Sequence, residues 1–460
     1  MIPIILLSVF GIVTLFLGFQ KTRNTLLPAS LLFLLIAFVA NGYYWNNDQT
    51  GAYFSEMMTI DNVSVAFSGI VLLSAMLILP LSNQYIDDPN AQPAEYYAIL
   101  LFSLVGAIMM VSYENIIMLF VGIEILSISM YVLTGSHKRS LKSNEAALKY
   151  FLMGSFATGI LLFGVALMYG ATGSFKLSEM AAFVQTAQGA DTPMLYLGLT
   201  LALIGILFKV SAAPFHFWTP DVYEGAPSLF TAFMSTVVKA AGFGALYKLL
   251  SVSFTPAYDF WWIFVATMTV LTLVIANITA VYQQSFKRMM AYSSISHAGY
   301  LLIALVAFNE KSQQAILFYS LAYSLATVSA FGVMMAVAAQ RGKEDYDSFN
   351  GLGKTNPFLA FVMTVSMCSL AGIPLTAGFF GKFFVFVSAV ERGLSWLLVV
   401  AVLASAVSIY YYFRVVIAMY MKSSTENRIE VHSNFKTVLS ITTMLTLLLG
   451  LLPGLFSELF

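Results

Sequence analysis

Lysines stand deep inside several apolar segments of this 460-residue sequence. Lys209 and Lys239 each lie near the middle of a segment of bilayer length, and Lys382 lies in another apolar segment. A lysine at the centre of a bilayer costs roughly 3 kcal/mol on insertion scales. Residues kept at such a cost usually serve an ion or proton path, because a desolvated ammonium can release and rebind a proton. The lysines therefore predict proton or ion chemistry at the membrane centre.

Prolines interrupt two of these segments close to their lysines. Pro214 comes five residues after Lys209, and Pro374 comes eight residues before Lys382. A proline inside a helix removes a main-chain hydrogen bond and leaves carbonyl groups that need other partners. Paired discontinuous helices are typical of inverted repeats with ion sites near the midplane. We expect two such repeats, each with one broken helix.

One carboxylate matches the lysines in depth. Glu124, in the apolar stretch LFVGIEILSISMYVL, lies at the centre of the fifth predicted span. We expect it to pair with Lys209, since an unpaired charge in hydrocarbon is the worse alternative. Separating the pair would favour release of the lysine's proton, so the pair could act as a switch. A static pair that only fixes the helix register remains open, although lysines outnumber acids at this depth.

The remaining polar residues inside helices allow two interpretations each. Lys149 lies about one and a half turns inside its helix, so both snorkelling to the headgroups and a functional role are open. His297, in SSISHAGY, could relay protons because histidine titrates near neutrality, or it could be a hydrogen-bonded packing residue. Lys248 lies near a helix end, where snorkelling is expected, and the role of Arg414 stays open.

Composition places the chain in the membrane. Hydrophobic residues make up 59% and charged residues 10%, against about 25% charged in soluble domains, and the mean hydropathy is +0.84. The fold class predicted is an all-α polytopic membrane protein. The single cysteine, Cys368, excludes a disulfide framework and cysteine-ligated iron–sulfur or zinc sites. We therefore expect no metal and no redox cofactor in this chain, and no nucleic-acid partner.

About 20 apolar residues per span give about fourteen transmembrane helices. Their predicted centres lie near residues 11, 35, 72, 104, 124, 158, 205, 238, 270, 298, 327, 372, 407 and 446. We expect a single membrane domain over 1–460, with three N-terminal helices at 1–90, a first repeat at 95–250, a second repeat at 255–420 and a last helix at 435–456.

Loop charge gives the expected orientation. With fourteen spans and the N-terminus outside, the outward loops hold only Lys176, Lys311 and Arg392. The inward loops then hold thirteen basic residues: Lys21, Arg23, Lys138, Arg139, Lys142, Lys287, Arg288, Arg341, Lys343, Lys354, Lys422, Arg428 and Lys436. Basic residues concentrate in cytoplasmic loops. Both termini are therefore predicted on the outer side.

Four motifs resemble the antiporter-like membrane subunits of respiratory complex I, the NADH–quinone oxidoreductase. They are NEAALKYFLMGS (Asn144–Ser155), FKVSAAPFHFWTPDVYEGAP (Phe208–Pro227), KRMMAYSSISHAGY (Lys287–Tyr300) and SLAGIPLTAGFFGKF (Ser369–Phe383), within a resemblance that covers roughly residues 95–420. The N-type subunits of the bacterial enzyme are the best match, since M-type subunits have a glutamate in place of Lys382 and L-type subunits extend beyond the fourteenth span. Subunits of multisubunit cation–proton antiporters and membrane hydrogenases share the motifs and remain alternatives.

The resemblance implies a proton-translocating subunit and a set of relay residues. The matching positions are Glu124, Lys149, Lys209, Lys239, His297 and Lys382. It also implies other membrane and peripheral subunits as partners, with NADH, flavin, iron–sulfur clusters and quinone bound in those partners. The expected location is a bacterial inner membrane, with both termini in the periplasm. A structural scaffold, in which the lysine–glutamate pair only orders the bundle, is the rival from another class.

Overall fold

The computed structural model describes residues 1–19, 23–46, 52–82, 92–186, 191–423 and 427–457. Lys21, one of the lysines predicted in an inward loop, lies outside these described residues. So do residues 83–90, at the end of the predicted N-terminal segment.

Helices account for nearly all regular structure in the described part of the chain, because in hydrocarbon a helix satisfies its own main-chain polar groups. The first eight are α1 (Ile2–Leu17), α2 (Leu26–Gly42), α3 (Asn62–Ile78), α4 (Pro93–Ser112), α5 (Ile116–Thr134), α6 (Leu141–Thr172), α7 (Leu177–Thr186) and α8 (Asp191–Lys209). Two short strands, β1 (Ala52–Tyr53) and β2 (Met58–Thr59), pair antiparallel between α2 and α3.

The chain continues past Lys209 with shorter pieces and then long helices again. These are α9 (Trp218–Gly225), α10 (Ser228–Phe233), a π-helical segment (Met234–Val238), α11 (Lys239–Val252), α12 (Tyr258–Val281), α13 (Phe286–Ala307), α14 (Glu310–Arg341), α15 (Leu352–Thr355), α16 (Pro357–Ala371), α17 (Ala377–Glu391), α18 (Ser395–Met421), α19 (Ser433–Leu451) and α20 (Gly454–Ser457). Single 3₁₀ turns lie at Arg23–Thr25, Leu79–Ser82 and Tyr346–Phe349.

Length and hydropathy confirm the membrane fold class. Within the described residues, 11 helical segments are long and apolar enough to cross a membrane, and α1, α2 and α16 are apolar but shorter. Every predicted helix centre but one lies inside a helical segment, and the exception, near residue 372, lies in the interruption between α16 and α17. The number of fourteen crossings and the repeat boundaries stay predictions.

The fold divides into two compact units, and the first comprises residues 1–79, 85–211 and 237–265. Two close helix contacts in it depend on glycine. A Cβ on Gly106 of α4 would lie 2.6 Å from the carbonyl oxygen of Gly122 on α5, and one on Gly164 of α6 would lie 2.6 Å from that of Gly198 on α8. Small residues let membrane helices approach this closely. These contacts fix α5 and α8, which carry Glu124 and Lys209.

The second unit comprises residues 80–84, 212–236 and 266–460. The long helix α14 is buried over most of its length and packs against α13, α16, α17 and α19. At the start of α13, Arg288 bridges two acids of α9, with its guanidinium 2.9 Å from Asp221 and 2.8 Å from Glu224. The neighbouring Lys287 donates to the carbonyl oxygen of Ala226 at 2.6 Å. These contacts hold the segment after the first interruption against α13.

Candidate functional site

Lys209 is the last residue of α8 and is only 5% exposed. Its ammonium donates a 2.7 Å hydrogen bond to the Ser127 hydroxyl on α5. The ammonium also lies 5.8 Å from the centre of the buried Tyr150 ring on α6. The hydrogen bond and the ring contact of the lysine thus come from neutral groups on α5 and α6.

Glu124 lies one turn before Ser127, on the same face of α5. It interacts electrostatically with Lys209. Among the described residues, however, no carboxylate oxygen lies within 4.0 Å of the Lys209 nitrogen, and the buried Oε1 atom of Glu124 has no hydrogen-bond partner. The expected closed ion pair is thus absent in this structure, because the lysine bonds to Ser127 and reaches the carboxylate only through space.

Lys239 begins α11 and is only 2% exposed. It directly follows the π-helical segment Met234–Val238, and such segments are frequent at functional sites. Its helix packs closely against the residue after Lys209, since a Cβ on Gly242 would lie 2.6 Å from a methyl group of Val210. Within the first unit, Lys209 and Lys239 therefore stand on neighbouring packed segments.

Lys149 points away from this group. Its ammonium pairs with Glu145, one turn earlier on α6, at 2.7 Å, and its side chain is 40% exposed. The next residue, Tyr150, is the one that faces Lys209, because successive residues of a helix point about 100° apart. The structure does not bring Lys149 to Lys209, and its relay role stays a prediction.

Lys382 lies on α17 in the second unit and is 4% exposed. Its ammonium donates to the carbonyl oxygen of Ala371 at 2.8 Å and to the Ser405 hydroxyl at 2.9 Å. It also lies 4.6 Å from the centre of the Tyr300 ring. Like Lys209, it is buried among neutral oxygen atoms and an aromatic face.

The buried His297 of α13 is bound at both ring nitrogens. Nδ1 lies 2.7 Å from the Tyr319 hydroxyl of α14, and Nε2 lies 3.0 Å from the Tyr412 hydroxyl of α18. The Tyr412 hydroxyl lies 2.5 Å from that of Ser293. Sequence reasoning missed both tyrosines, since a tyrosine in an apolar helix looks like a packing residue until the facing helix is known.

Both prolines lie where helices stop. Pro214 lies between the end of α8 and the start of α9, and the Ala213–Pro214 peptide bond is cis. The Ala213 amide in this stretch donates to the Thr272 hydroxyl at 2.8 Å. Pro374 lies in the gap between α16 and α17, with Gly372 at a φ of +84°.

Two charged residues that were not assigned to the relay, Lys248 and Arg414, have polar partners in the structure. Lys248 is buried and donates to the Thr59 hydroxyl at 2.9 Å, with Asp61 at 3.7 Å. The prediction that it snorkels to the headgroups is wrong, because the hairpin and the start of α3 supply its polar partners. Arg414 donates to the carbonyl oxygens of Val281 and Gln283 at 3.1 and 3.0 Å, and so caps the C-terminal end of α12.

Metal-ligand types do not gather in the described part of the chain, where no three His, Cys, Asp or Glu side chains come together as a site. The expected absence of a redox cofactor stays a prediction.

The sequence matches known proteins over its whole length. The family model described as NADH:quinone oxidoreductase/Mrp antiporter, TM, covers residues 114–408. NADH-quinone oxidoreductase subunit N of Flavobacterium psychrophilum is 40% identical over 458 residues, which are 99% of each chain. The chain belongs to the subunit N family. The earlier resemblance to antiporter-like complex I subunits is confirmed.

Chains of two solved membrane complexes share this fold. A chain of respiratory complex I from Thermus thermophilus is 35% identical, with a TM-score of 0.84 and 98% of each chain covered. A chain of the archaeal membrane-bound sulfane sulfur reductase is 26% identical, with a TM-score of 0.88, and the match covers 99% of this chain and 96% of that one. Both solved structures are of respiratory membrane complexes.

Proposed function

We propose that this subunit N family member translocates protons as part of a bacterial NADH–quinone oxidoreductase. Its relay comprises Glu124, Lys149, Lys209, Lys239, His297 and Lys382. Other membrane and peripheral subunits bind NADH, flavin, iron–sulfur clusters and quinone and carry out the electron transfer. The chain sits in the bacterial inner membrane with both termini on the periplasmic side. The loop charges and the names of the relatives support this assignment.

One observation carries the proposal: lysines are buried beside neutral partners. Lys209 bonds to a serine hydroxyl, and Lys382 bonds to a carbonyl and a serine hydroxyl. A buried ammonium held by a carboxylate keeps its proton, whereas one held by neutral dipoles is less strongly stabilised in the charged form. Such a lysine can give up its proton when its surroundings change. That is the property a relay needs and a static scaffold does not.

A change in the distance between Glu124 and Lys209 could alter the surroundings of the lysine in this way. Its carboxylate interacts with Lys209 through space, and its Oε1 has no hydrogen-bond partner among the described residues. A movement that closes the distance would hold the proton on Lys209, and one that opens it would favour release toward Lys239. Driving this movement requires energy from elsewhere, which in our proposal comes from electron transfer in the partner subunits.

A local correspondence supports the two repeats. Asn115 caps α5, and Ile116 donates to the carbonyl oxygen of Phe175 at 2.9 Å. Ser285 caps α13 in the same way, and Phe286 donates to the carbonyl oxygen of Glu344 at 3.0 Å. Isolated bridges join Asn115 to Lys176 and Ser285 to Asp345. In each unit, therefore, the first residues of one long helix pair with a chain segment that lies about 60 residues later in the sequence.

Replacing Lys209 with alanine in the assembled complex tests the function. We expect the complex to assemble and proton pumping per NADH oxidised to fall several-fold in inverted membrane vesicles. The matched control is Lys422→Ala, which removes an exposed lysine paired with Asp347 and should leave pumping unchanged. If the Lys209→Ala complex assembles and pumps as well as the control, the relay is disproved.

The same vesicles separate the proposal from the antiporter alternative. A cation–proton antiporter needs no electron donor, so sodium- or potassium-driven proton movement would persist without NADH and would be lost in Lys209→Ala. Full-length similarity to proteins named subunit N favours the oxidoreductase. Cation-driven exchange without NADH would overturn that assignment.

A further inference from the structure

His297 stands in the middle of a buried row of hydroxyl groups in the second unit. The Tyr319 and Tyr412 hydroxyls bind its two ring nitrogens at 2.7 and 3.0 Å, and Ser293 lies 2.5 Å beyond Tyr412. All four side chains are buried. Both ring nitrogens are bonded to tyrosine hydroxyls, which can each donate and accept, so either tautomer of the ring is satisfied in this row.

The chemistry of imidazole allows two orientations of the hydrogen bonds along this row. A neutral imidazole carries one N–H donor and one bare nitrogen acceptor. One tyrosine must therefore accept from the ring while the other donates to it. When Tyr412 accepts from the ring, its own hydroxyl can donate a hydrogen bond to the Ser293 oxygen. The row has two polarities, related by moving the imidazole proton from one nitrogen to the other.

We propose that Tyr319 and Tyr412 are further relay residues, which pass a proton through His297 by reversing its tautomer. The inference rests on the proposed function. In one polarity, Tyr412 donates to Nε2, and Nδ1–H donates to the Tyr319 oxygen. A proton arriving at the Tyr412 oxygen sends the Tyr412 proton to Nε2. The Nδ1 proton then moves to Tyr319, which releases its own proton onward. One proton enters and one leaves, and all three groups end neutral.

The Tyr319 ring lies beside the segment of α17 that carries Lys382. The Tyr319 ring packs on Gly381, the residue before Lys382, so closely that a Cβ there would lie 2.4 Å from Cδ2 of the ring. The Lys382 ammonium rests on the neighbouring Tyr300 ring at 4.6 Å. Glycine at position 381 thus makes room for Tyr319 next to the lysine, which is the acceptor we infer for the released proton.

Tyrosine-to-phenylalanine variants test the row, since they keep the ring volume and remove only the hydroxyl. Tyr319→Phe and Tyr412→Phe are compared with Tyr346→Phe in the assembled complex. Tyr346 is also buried, and among the described residues its hydroxyl has no hydrogen-bond partner. We expect a several-fold loss of proton pumping per NADH in the first two variants and no change in the third. Electron transfer should continue when an uncoupler is present.

A second measurement guards against loss of assembly. A fluorotyrosine at position 319 keeps the hydroxyl but makes it more acidic, so a relay role moves the pH profile of pumping toward acid. A purely structural role leaves the profile in place. Pumping in both phenylalanine variants equal to that of Tyr346→Phe, or an unmoved profile with fluorotyrosine, would overturn the inference.

The two proposals fail in different ways. If Lys209→Ala abolishes pumping while both phenylalanine variants pump normally, the proposed function stands and the tyrosine row is wrong. If Lys209→Ala pumps normally, the function itself is wrong whatever the tyrosines do.

Discussion

The Lys382 ammonium donates a 2.8 Å hydrogen bond to the carbonyl oxygen of Ala371, the last residue of α16. The last four carbonyl groups of a helix have no partner within that helix. Here the interruption before α17 leaves such a carbonyl in the buried interior of the second unit, where it accepts a hydrogen bond from the lysine. The broken helix and its lysine are therefore one device: the break creates the neutral acceptor that holds a buried ammonium without a carboxylate.

Gly372 lies next to the contact between Lys382 and Ala371, and Gly372→Ala should disrupt that contact. The glycine has a φ of +84°, and a Cβ would lie 2.7 Å from Cδ of Lys382. We expect a backbone cost of about 1–2 kcal/mol from the left-handed conformation, together with displacement of the lysine. The measurements are thermal stability of the complex and proton pumping per NADH.

Gly393→Ala is the matched control for the backbone. Gly393 has a φ of +79°, and nothing lies within 4 Å of a Cβ added there. It should lose similar stability but keep its pumping. Equal pumping in the two variants would show that the position of Lys382 does not depend on Gly372.

Ser127→Ala should weaken the Lys209 site without unfolding α5. The substitution removes the one hydrogen bond found for the buried ammonium among the described residues. A hydrogen bond to a charged group contributes about 1.5–3 kcal/mol, which corresponds to on the order of a tenfold or larger effect on the site. Pumping per NADH should fall by about that factor, because the protonated lysine loses its partner.

Ser129→Ala provides the comparison on the same helix. Among the described residues, the Ser129 hydroxyl donates only to the carbonyl oxygen of Ile125, one turn earlier. Its removal should change neither stability nor pumping noticeably. A pumping loss of equal size in both variants would assign the effect to α5 as a whole and not to Lys209.

Hydropathy and residue type were enough to predict most of the helices, the two interruptions and the burial of Lys209, Lys239 and Lys382. They could not give the partners. Lys209 was expected to pair with Glu124, but its ammonium bonds to Ser127, one turn further along α5. The two acceptors share a helix face, so the sequence pattern cannot choose between them. The choice depends on how far α8 is displaced along its axis relative to α5, which is a property of the tertiary packing.

The sequence also could not show which side of a helix faces a given neighbour. Lys149 and Tyr150 are neighbours in an evenly apolar helix, and only the packing of α6 against α8 decides that the tyrosine faces Lys209. The same holds for Lys248, whose partners Thr59 and Asp61 come from a hairpin and helix cap nearly 190 residues earlier. A polar contact between two segments that are distant in sequence leaves no periodic signal in the sequence of either segment.

Lys149→Met should separate stability from function. The lysine's pair with Glu145 is an exposed contact one turn apart, and such pairs contribute about 0.2–0.5 kcal/mol. Thermal stability should therefore barely change, while pumping per NADH should fall several-fold if the relay includes this lysine. Glu145→Gln removes the same ion pair and keeps the lysine, so it should pump normally. Normal pumping by Lys149→Met would remove Lys149 from the relay.

The hairpin of β1 and β2, in which Thr59 accepts a hydrogen bond from Lys248, should be less stable at low pH. A hydrogen bond with the exposed Lys176 lowers the pKa of the Glu56 carboxyl from its usual 4.5, and the same contact with Glu56 raises the pKa of the Lys176 ammonium from 10.5. The pair therefore stabilises the hairpin fully between pH 4.5 and 10.5. Its contribution is lost as the pH falls through the lowered pKa of Glu56 or rises through the raised pKa of Lys176.

Hydrogen exchange of the Met57 amide, which donates to the carbonyl oxygen of Phe54, reports on this hairpin. At pH 7, Glu56→Gln should exchange faster than the unmodified protein, because it lacks the ion pair. Below the lowered pKa of Glu56 the two should exchange alike, since the carboxyl is then protonated in both states of the hairpin. Glu391→Gln, which removes the pair with Lys311 in the second unit, should match the unmodified protein throughout. A difference between Glu56→Gln and the unmodified protein that persists at low pH would mean that the carboxyl stabilises the hairpin by something other than its charge.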